Sequence, residues 1–241
     1  MENKRYLKKF SSQSDYESQK DSVMGMPHVV LFDDTKEVVY ASENETPSDP
    51  FNGHEYVDLG LPSGTLWATK PITNANGEPL YFQWGDTEGW TAEQIQNGEK
   101  AFALYSYKWY QGSMTKYNAT DGKTVLDLED DAAHVHMCGD WHMPTKEQFE
   151  ELIANTTSTW TSQNGINGKL FTASNGNSIF IPAFNYADGT NISIGDYGSV
   201  LTNLIFGDFN NVLFFSFGSS FSFVDTYSRA SGYIIWGVIG K

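Results

Sequence analysis

Residues 170 to 235 constrain the chain most tightly. This run holds no Lys, Glu, Gln, Met or Trp, whereas residues 1 to 169 hold 46 residues of these five types. At an average usage of roughly one residue in five, about 13 would fall in a run of this length. Ten of the chain's 16 Phe lie here among Gly, Ser and Asn, a composition that fits strands and turns. The missing amino acids also share a property of the genetic code: none has a codon ending in a pyrimidine. Randomising the adenines of an Asn codon reaches all the remaining types. Two readings therefore stay open. One is β composition that excludes long side chains; the other is adenine-directed variation of a displayed surface.

The rest of the composition narrows the class. At 241 residues the chain can bury a full core. Gly and aromatics are plentiful and apolar runs are short, which favours strands and ordered loops over long helices. A net charge of -15, from 30 acidic and 15 basic residues, repels nucleic acid and anionic lipid, so neither is an expected partner. Cys138 is alone, so an intramolecular disulfide framework is excluded. The start, MENKRYLKKF, has no apolar segment of the kind a secretory signal needs. No apolar run approaches a membrane span. The expectation is synthesis in a bacterial cytoplasm without a signal peptide.

Taken in order, residues 1 to 45 read as a small attachment or oligomerisation module. A short strand is expected over Arg5–Phe10 and a polar, helix-compatible run over Ser11–Asp21, with Ser12 and Asp15 at capping-box spacing. Val29–Phe32 and Val38–Tyr40 flank the turn Asp33-Asp34-Thr35 and predict a hairpin. So short a unit buries little alone, which points to docking on a larger particle or to a homo-oligomer. The polar segment ENETPSDPFNG places a linker at 46 to 53, and residues 54 to 241 form the main domain. Within it, Tyr81, Trp84, Trp90, Tyr105, Tyr107, Trp109 and Tyr110 are either a sugar-stacking platform or packing, with packing preferred. Asp127, Glu129, Asp130 and Asp131 are either calcium ligands or the acidic start of a short helix over Ala132 and Ala133, with the helix preferred. His134, His136, Cys138 and His142 lack the paired spacing of structural zinc sites. No metal and no cofactor is therefore expected.

Thr145 and Gln148 form a capping box that opens a helix with Phe149, Leu152 and Ile153 on one face. Beyond it, strands alternate with Gly turns. One strand is expected at Ser178–Pro182, a hairpin at Val212–Phe217 and Phe221–Val224 around Gly218-Ser219-Ser220, and a closing strand at Tyr233–Ile239. Phe215 and Phe217 are assigned to the core. No phosphate loop, nucleophile elbow or metalloprotease motif is present, so no enzyme is expected.

The segments HEYVDLGLPSGTLWAT, YFQWGDTEGW, LDLEDDAAHVHMCGDWHMPTKEQFEEL, NGNSIFIPA and YSRASGYIIWGV, in this order, span residues 54 to 241. They resemble a large group of diversity-generating-retroelement variable proteins of gut Bacteroidetes and their phages. WHMPTKEQFEEL is similar to a block of the formylglycine-generating-enzyme branch of the C-type lectin fold. Departures are the unpaired Cys138, DYGSVLTN without a Trp, His142 where an Arg is usual, and Trp236-Gly237-Val238 in place of Arg-Pro-Val. The resemblance implies an α+β C-type lectin fold with small antiparallel sheets, few helices and much ordered loop, carrying a small N-terminal β/α appendage. It further implies a ligand-binding protein, a receptor-binding protein or adhesin, with a diversified surface at about 184 to 235. The expected partner is a protein or glycan on a cell surface, and the expected location a phage tail or another displaying surface. The variable positions implied are Ser199, Thr202, Asn203, Ile205, Asp208, Asn210, Asn211, Phe214, Ser216, Asp225, Tyr227, Ser228, Ala230 and Ser231, with Arg229 and Gly232 as framework between them. An exposed patch including Ile205 and Phe214 would mark an interface. The alternative is a non-diversified carbohydrate-binding module or structural surface protein.

Overall fold

The computed structural model describes residues 6–10, 28–32, 38–41 and 51–240. The chain divides into two units, Met1–Asp49 and Pro50–Lys241. In the first, β1 (Tyr6–Phe10) runs parallel to β2 (His28–Phe32), which pairs antiparallel with β3 (Val38–Ala41). The β2–β3 pair is the hairpin expected from two β-branched runs. Its turn, the helix expectation over Ser11–Asp21 and the linker up to residue 50 lie outside the described residues.

The second unit is an α+β arrangement of small, mostly antiparallel sheets with few helices. It begins with β4 (Tyr56–Asp58), β5 (Leu66–Ala68), β6 (Leu80–Phe82) and β7 (Trp90–Thr91). Three α-helices follow: α1 (Ala92–Gln96), α2 (Ala132–Met137) and α3 (Lys146–Asn155). Next come β8 (Thr156–Gln163), β9 (Ile166–Ala173), β10 (Ser178–Pro182), β11 (Phe184–Asp188) and β12 (Asn191–Ile194). The chain closes with β13 (Tyr197–Ile205), β14 (Asn211–Gly218), β15 (Ser222–Ser228), β16 (Tyr233–Ile234) and β17 (Val238–Ile239). The largest sheet has the order β15-β14-β13-β16-β6-β7, beside β10-β9-β8, β17-β5-β4 and the β11-β12 hairpin.

Local chemistry explains the helix that anchors this arrangement. At α3 the Thr145 hydroxyl accepts from the Gln148 N–H, and the Gln148 side chain accepts from the Thr145 N–H. Two backbone donors that a helix start leaves open are thereby satisfied. The face this presents carries Phe149 and Leu152, both fully buried. The Phe149 ring stacks on Phe215 of β14 at 4.6 Å. Phe215 in turn meets Phe171 at 5.9 Å and Phe217 at 5.2 Å. The core therefore lies between α3, the β8–β10 sheet and one face of the large sheet, with Phe215 and Phe217 where the sequence assigns them.

The closing strand is a correction. Tyr233–Ile239 is not one strand but two short ones in different sheets, with β16 pairing to β6 and β17 to β5. The segment between them is bonded instead by the Ile72 and Ala68 N–H groups, which donate to the Ile235 and Gly237 carbonyls. A Cβ at Gly237 would meet the Met137 sulfur at 2.4 Å, so a side chain where the chain changes sheets would have to displace the Met137 thioether.

Candidate binding surface

The register defines which C-terminal side chains can be displayed. In β14, Phe214 pairs with Leu201 and Asp225, and Ser216 with Ser199 and Phe223. Paired residues share a face, so these side chains lie opposite the core face that holds Phe215. A sheet with one core face normally leaves the other to solvent. Here the β11–β12 hairpin covers much of it. The Tyr186 ring of β11 meets Phe214 at 6.3 Å and Tyr233 at 5.9 Å, and the Ser199 hydroxyl donates to the Asn185 side chain at 3.3 Å. Both faces of β13 and β14 are therefore packed.

This placement corrects half of the expected variable positions. Ser199, Thr202, Ile205, Phe214, Ser216, Ala230 and Ser231 are buried, so no exposed patch forms around Ile205 and Phe214. Thr202, Ile205 and Ala230 are also tied in by hydrogen bonds. The Thr202 hydroxyl donates to the Leu213 carbonyl across the ladder, and the Thr202 carbonyl accepts from the Trp84 indole. The Ile205 N–H donates to the Thr124 carbonyl, and the Ala230 carbonyl accepts from the buried Gln83 amide. Asn203, Asn211 and Ser228 are half-buried. Asp208, Asn210, Asp225 and Tyr227 are exposed.

The accessible positions fall in two groups. The first is the β13–β14 loop, residues 206–210. The Asp208 carboxylate accepts from the N–H groups of Asn210 and Asn211 and from the Asn211 amide. Burial pushes the Asp208 carboxyl up, but those three bonds outweigh it and hold the group below its ordinary range. Phe209 sits at φ 58, left-handed for a residue with a side chain. The second group is the outer row of β15, an edge strand where Phe223, Asp225 and Tyr227 alternate with half-buried neighbours. Sequence reasoning missed Phe223, which is 46% exposed, and Phe206, which is 49% exposed. The period-two alternation through SFVDTYS was the signal that puts Phe223 beside Asp225 and Tyr227. The half-buried Tyr186 and Tyr197 adjoin this row, with the Tyr186 ring 4.7 Å from Tyr227. Burial, reinforced by the Tyr197 and Tyr227 phenols, pushes the Tyr186 hydroxyl up to about 12.

Arg229 ties both groups to the scaffold. It is fully buried, and its guanidinium donates to the Tyr107 hydroxyl at 2.8 Å and to the carbonyls of Tyr117, Phe209 and Lys116. It also lies 5.0 Å from the ring centres of Trp84 and Tyr107. The Phe209 carbonyl belongs to the displayed loop, and the Arg229 N–H donates to the Asn210 carbonyl beside it. The framework role expected for Arg229 thus has a geometric basis.

The other clusters singled out in the sequence serve the scaffold. Tyr81, Trp84 and Tyr107 are buried, so packing takes most of the aromatic cluster, while Tyr105 is exposed. Asp127, Glu129 and Asp130 lie close enough together to hold a cation, but Lys116 bonds all three and Lys123 bonds Asp127. Asp131 caps α2 by accepting from the His134 N–H and also accepts from the Met143 N–H. His134, His136 and His142 each bond a different backbone carbonyl, and Cys138 is exposed. No family model matches the chain, and comparisons with curated proteins and with solved structures likewise find no match.

Two outcomes follow. Arg229→Met leaves three carbonyls and a buried hydroxyl without their donor, and should cost about 3 kcal/mol or more in denaturant unfolding. It should also speed amide exchange in residues 206–211 more than in α3. The Tyr186 phenol, raised from 10.0 to about 12, favours the neutral folded state; that contribution is complete below pH 10 and lost as pH rises towards 12. A difference titration of tyrosinate absorbance between wild type and Tyr186→Phe should show one proton step near pH 12.

Proposed function

We propose that this protein is a receptor-binding protein or adhesin whose C-terminal surface is varied by adenine-directed mutagenesis to meet changing targets. The observation that carries this reading is the absence of all five purine-ending amino acid types from residues 170 to 235. The geometry supports it in a restricted form. Of the expected variable positions, Asp208, Asn210, Asp225 and Tyr227 are accessible, with the half-buried Asn203, Asn211 and Ser228 beside them. Phe206, Phe223, Tyr186 and Tyr197 complete a surface of aromatic anchors and small polar side chains, the palette of antibody paratopes. A surface of this kind gains affinity when it is held rigid before the target arrives. The Arg229 clamp, made by a residue outside the varied positions, supplies that rigidity.

On the ordered segments between residues 54 and 241 we assign the main domain to the formylglycine-generating-enzyme branch of the C-type lectin fold. The target is a protein or glycan on a cell surface. Residues 1 to 45 attach the domain to a larger particle or to further copies of the chain, and a phage tail is the location we favour. The role is binding and not catalysis.

Sequencing the surrounding locus in many isolates tests the reading. The expected result is a near-identical repeat beside a reverse-transcriptase gene, with differences at adenines that map to codons 203, 208, 210, 211, 225, 227 and 228. Absence of a repeat, with purine-ended codons common through 170 to 235, would leave β composition as the explanation.

A further inference from the structure

A cleft of about 430 Å³ opens away from the candidate surface. One wall is the outer face of the β8–β10 sheet, where Leu170 and Phe180 are paired neighbours and Pro182 lies beside them. A Cβ at Gly168 would meet the Phe180 ring at 2.5 Å, so the absence of a side chain there lets this ring lie down across the strand. The facing wall is the loop of residues 69–79, with Pro71 and Pro79. This loop is pinned rather than loose: the Asn74 side chain accepts from the Asn76 and Glu78 N–H groups, and the Ile72 N–H bonds the Ile235 carbonyl.

The charge lining the cleft runs against the rest of the chain. The protein carries -15, yet the lining includes no Asp or Glu, and its one charged side chain is Lys70. Lys70 is exposed and forms no ion pair among the described residues. Volumes of roughly 300–1,000 Å³ suit small-molecule ligands, and an apolar floor with one oriented charge sets both affinity and direction. None of the fourteen expected variable positions lines the cleft.

We propose that this cleft is a second, constant ligand site for a small molecule with a flat apolar body and a single anionic group. The body lies against Phe180, Leu170 and the prolines, and the anion meets the Lys70 ammonium at the mouth. The site is separate from the varied surface, so its ligand stays the same whichever target that surface binds.

The probe is 8-anilinonaphthalene-1-sulfonate, which has such a body and one sulfonate, titrated into the full-length protein and followed by fluorescence and calorimetry. One molecule should bind per chain. Lys70→Glu should weaken binding by about tenfold or more, the loss of one charge-assisted contact. Ser178→Trp, which fills the cleft from an exposed position of β10, should abolish binding without moving the unfolding midpoint. Phe223→Ser, on the candidate surface, should leave binding unchanged. The proposal is overturned if Lys70→Glu and Ser178→Trp bind like wild type. It is equally overturned if Phe223→Ser removes the signal, or if the uncharged N-phenyl-1-naphthylamine binds as tightly as the sulfonate.

Discussion

A single buried guanidinium holds the C-terminal half of the main domain together. Removing an ion from water costs several kcal/mol, and among the described residues Arg229 is bonded to no carboxylate: its partners are a hydroxyl and three carbonyls. Rings of Trp84, Tyr107 and Trp109 lie around its planar face, within 5.8 Å of its centre. Lysine has neither the five-donor fork nor the flat face this site needs. Trp84, Tyr107, Trp109 and the backbone at Lys116 and Tyr117 are therefore the socket for one residue just after β15. Through Arg229, the loop of residues 206–210 and the edge strand inherit the rigidity of the core.

The second constraint is that the inner strands of the large sheet have no free face. Phe149 of α3 occupies one side of Phe215, and the β11 hairpin lies over Phe214 on the other. A surface built on this sheet cannot use the middle of β13 or β14. What remains is the sheet's edge and the loop joining the two inner strands. In the proposed reading both are placed by elements outside the varied positions, as a rigid scaffold that tolerates change at its margins requires.

Much of this was legible in the sequence. The capping box of α3, the β2–β3 hairpin, the strand Ser178–Pro182 and the core positions of Phe215 and Phe217 follow from local chemistry and period-two patterning. The burial of Ser199, Thr202, Phe214, Ser216 and Ala230 did not. Those positions came from the family resemblance, and what covers Phe214 and Ser199, the Tyr186 ring and Asn185 side chain of β11, is brought there by long-range packing. The closing strand failed for a related reason: Tyr233–Ile239 is rich in β formers on both sides of Gly237, but its two halves find partners in different sheets. Phe206 and Phe223 were not singled out: the alternation of SFVDTYS carries the signal for Phe223, whereas Phe206 lies in a loop with no such pattern.

The central claim is that the C-terminal stretch divides into a displayed rim and a packed interior that cannot vary. The measurement that tests it most directly is a folding-coupled display screen. All fourteen positions would be randomised singly, each over the residues that pyrimidine-ended codons encode. Asp208, Asn210, Asp225 and Tyr227 should accept nearly every substitution with no loss of folded display, while Ser199, Thr202, Phe214 and Ala230 should accept only residues of similar size. Equal tolerance at the two sets would contradict the account, because the packing of β11 over the sheet would then not limit what the surface can present.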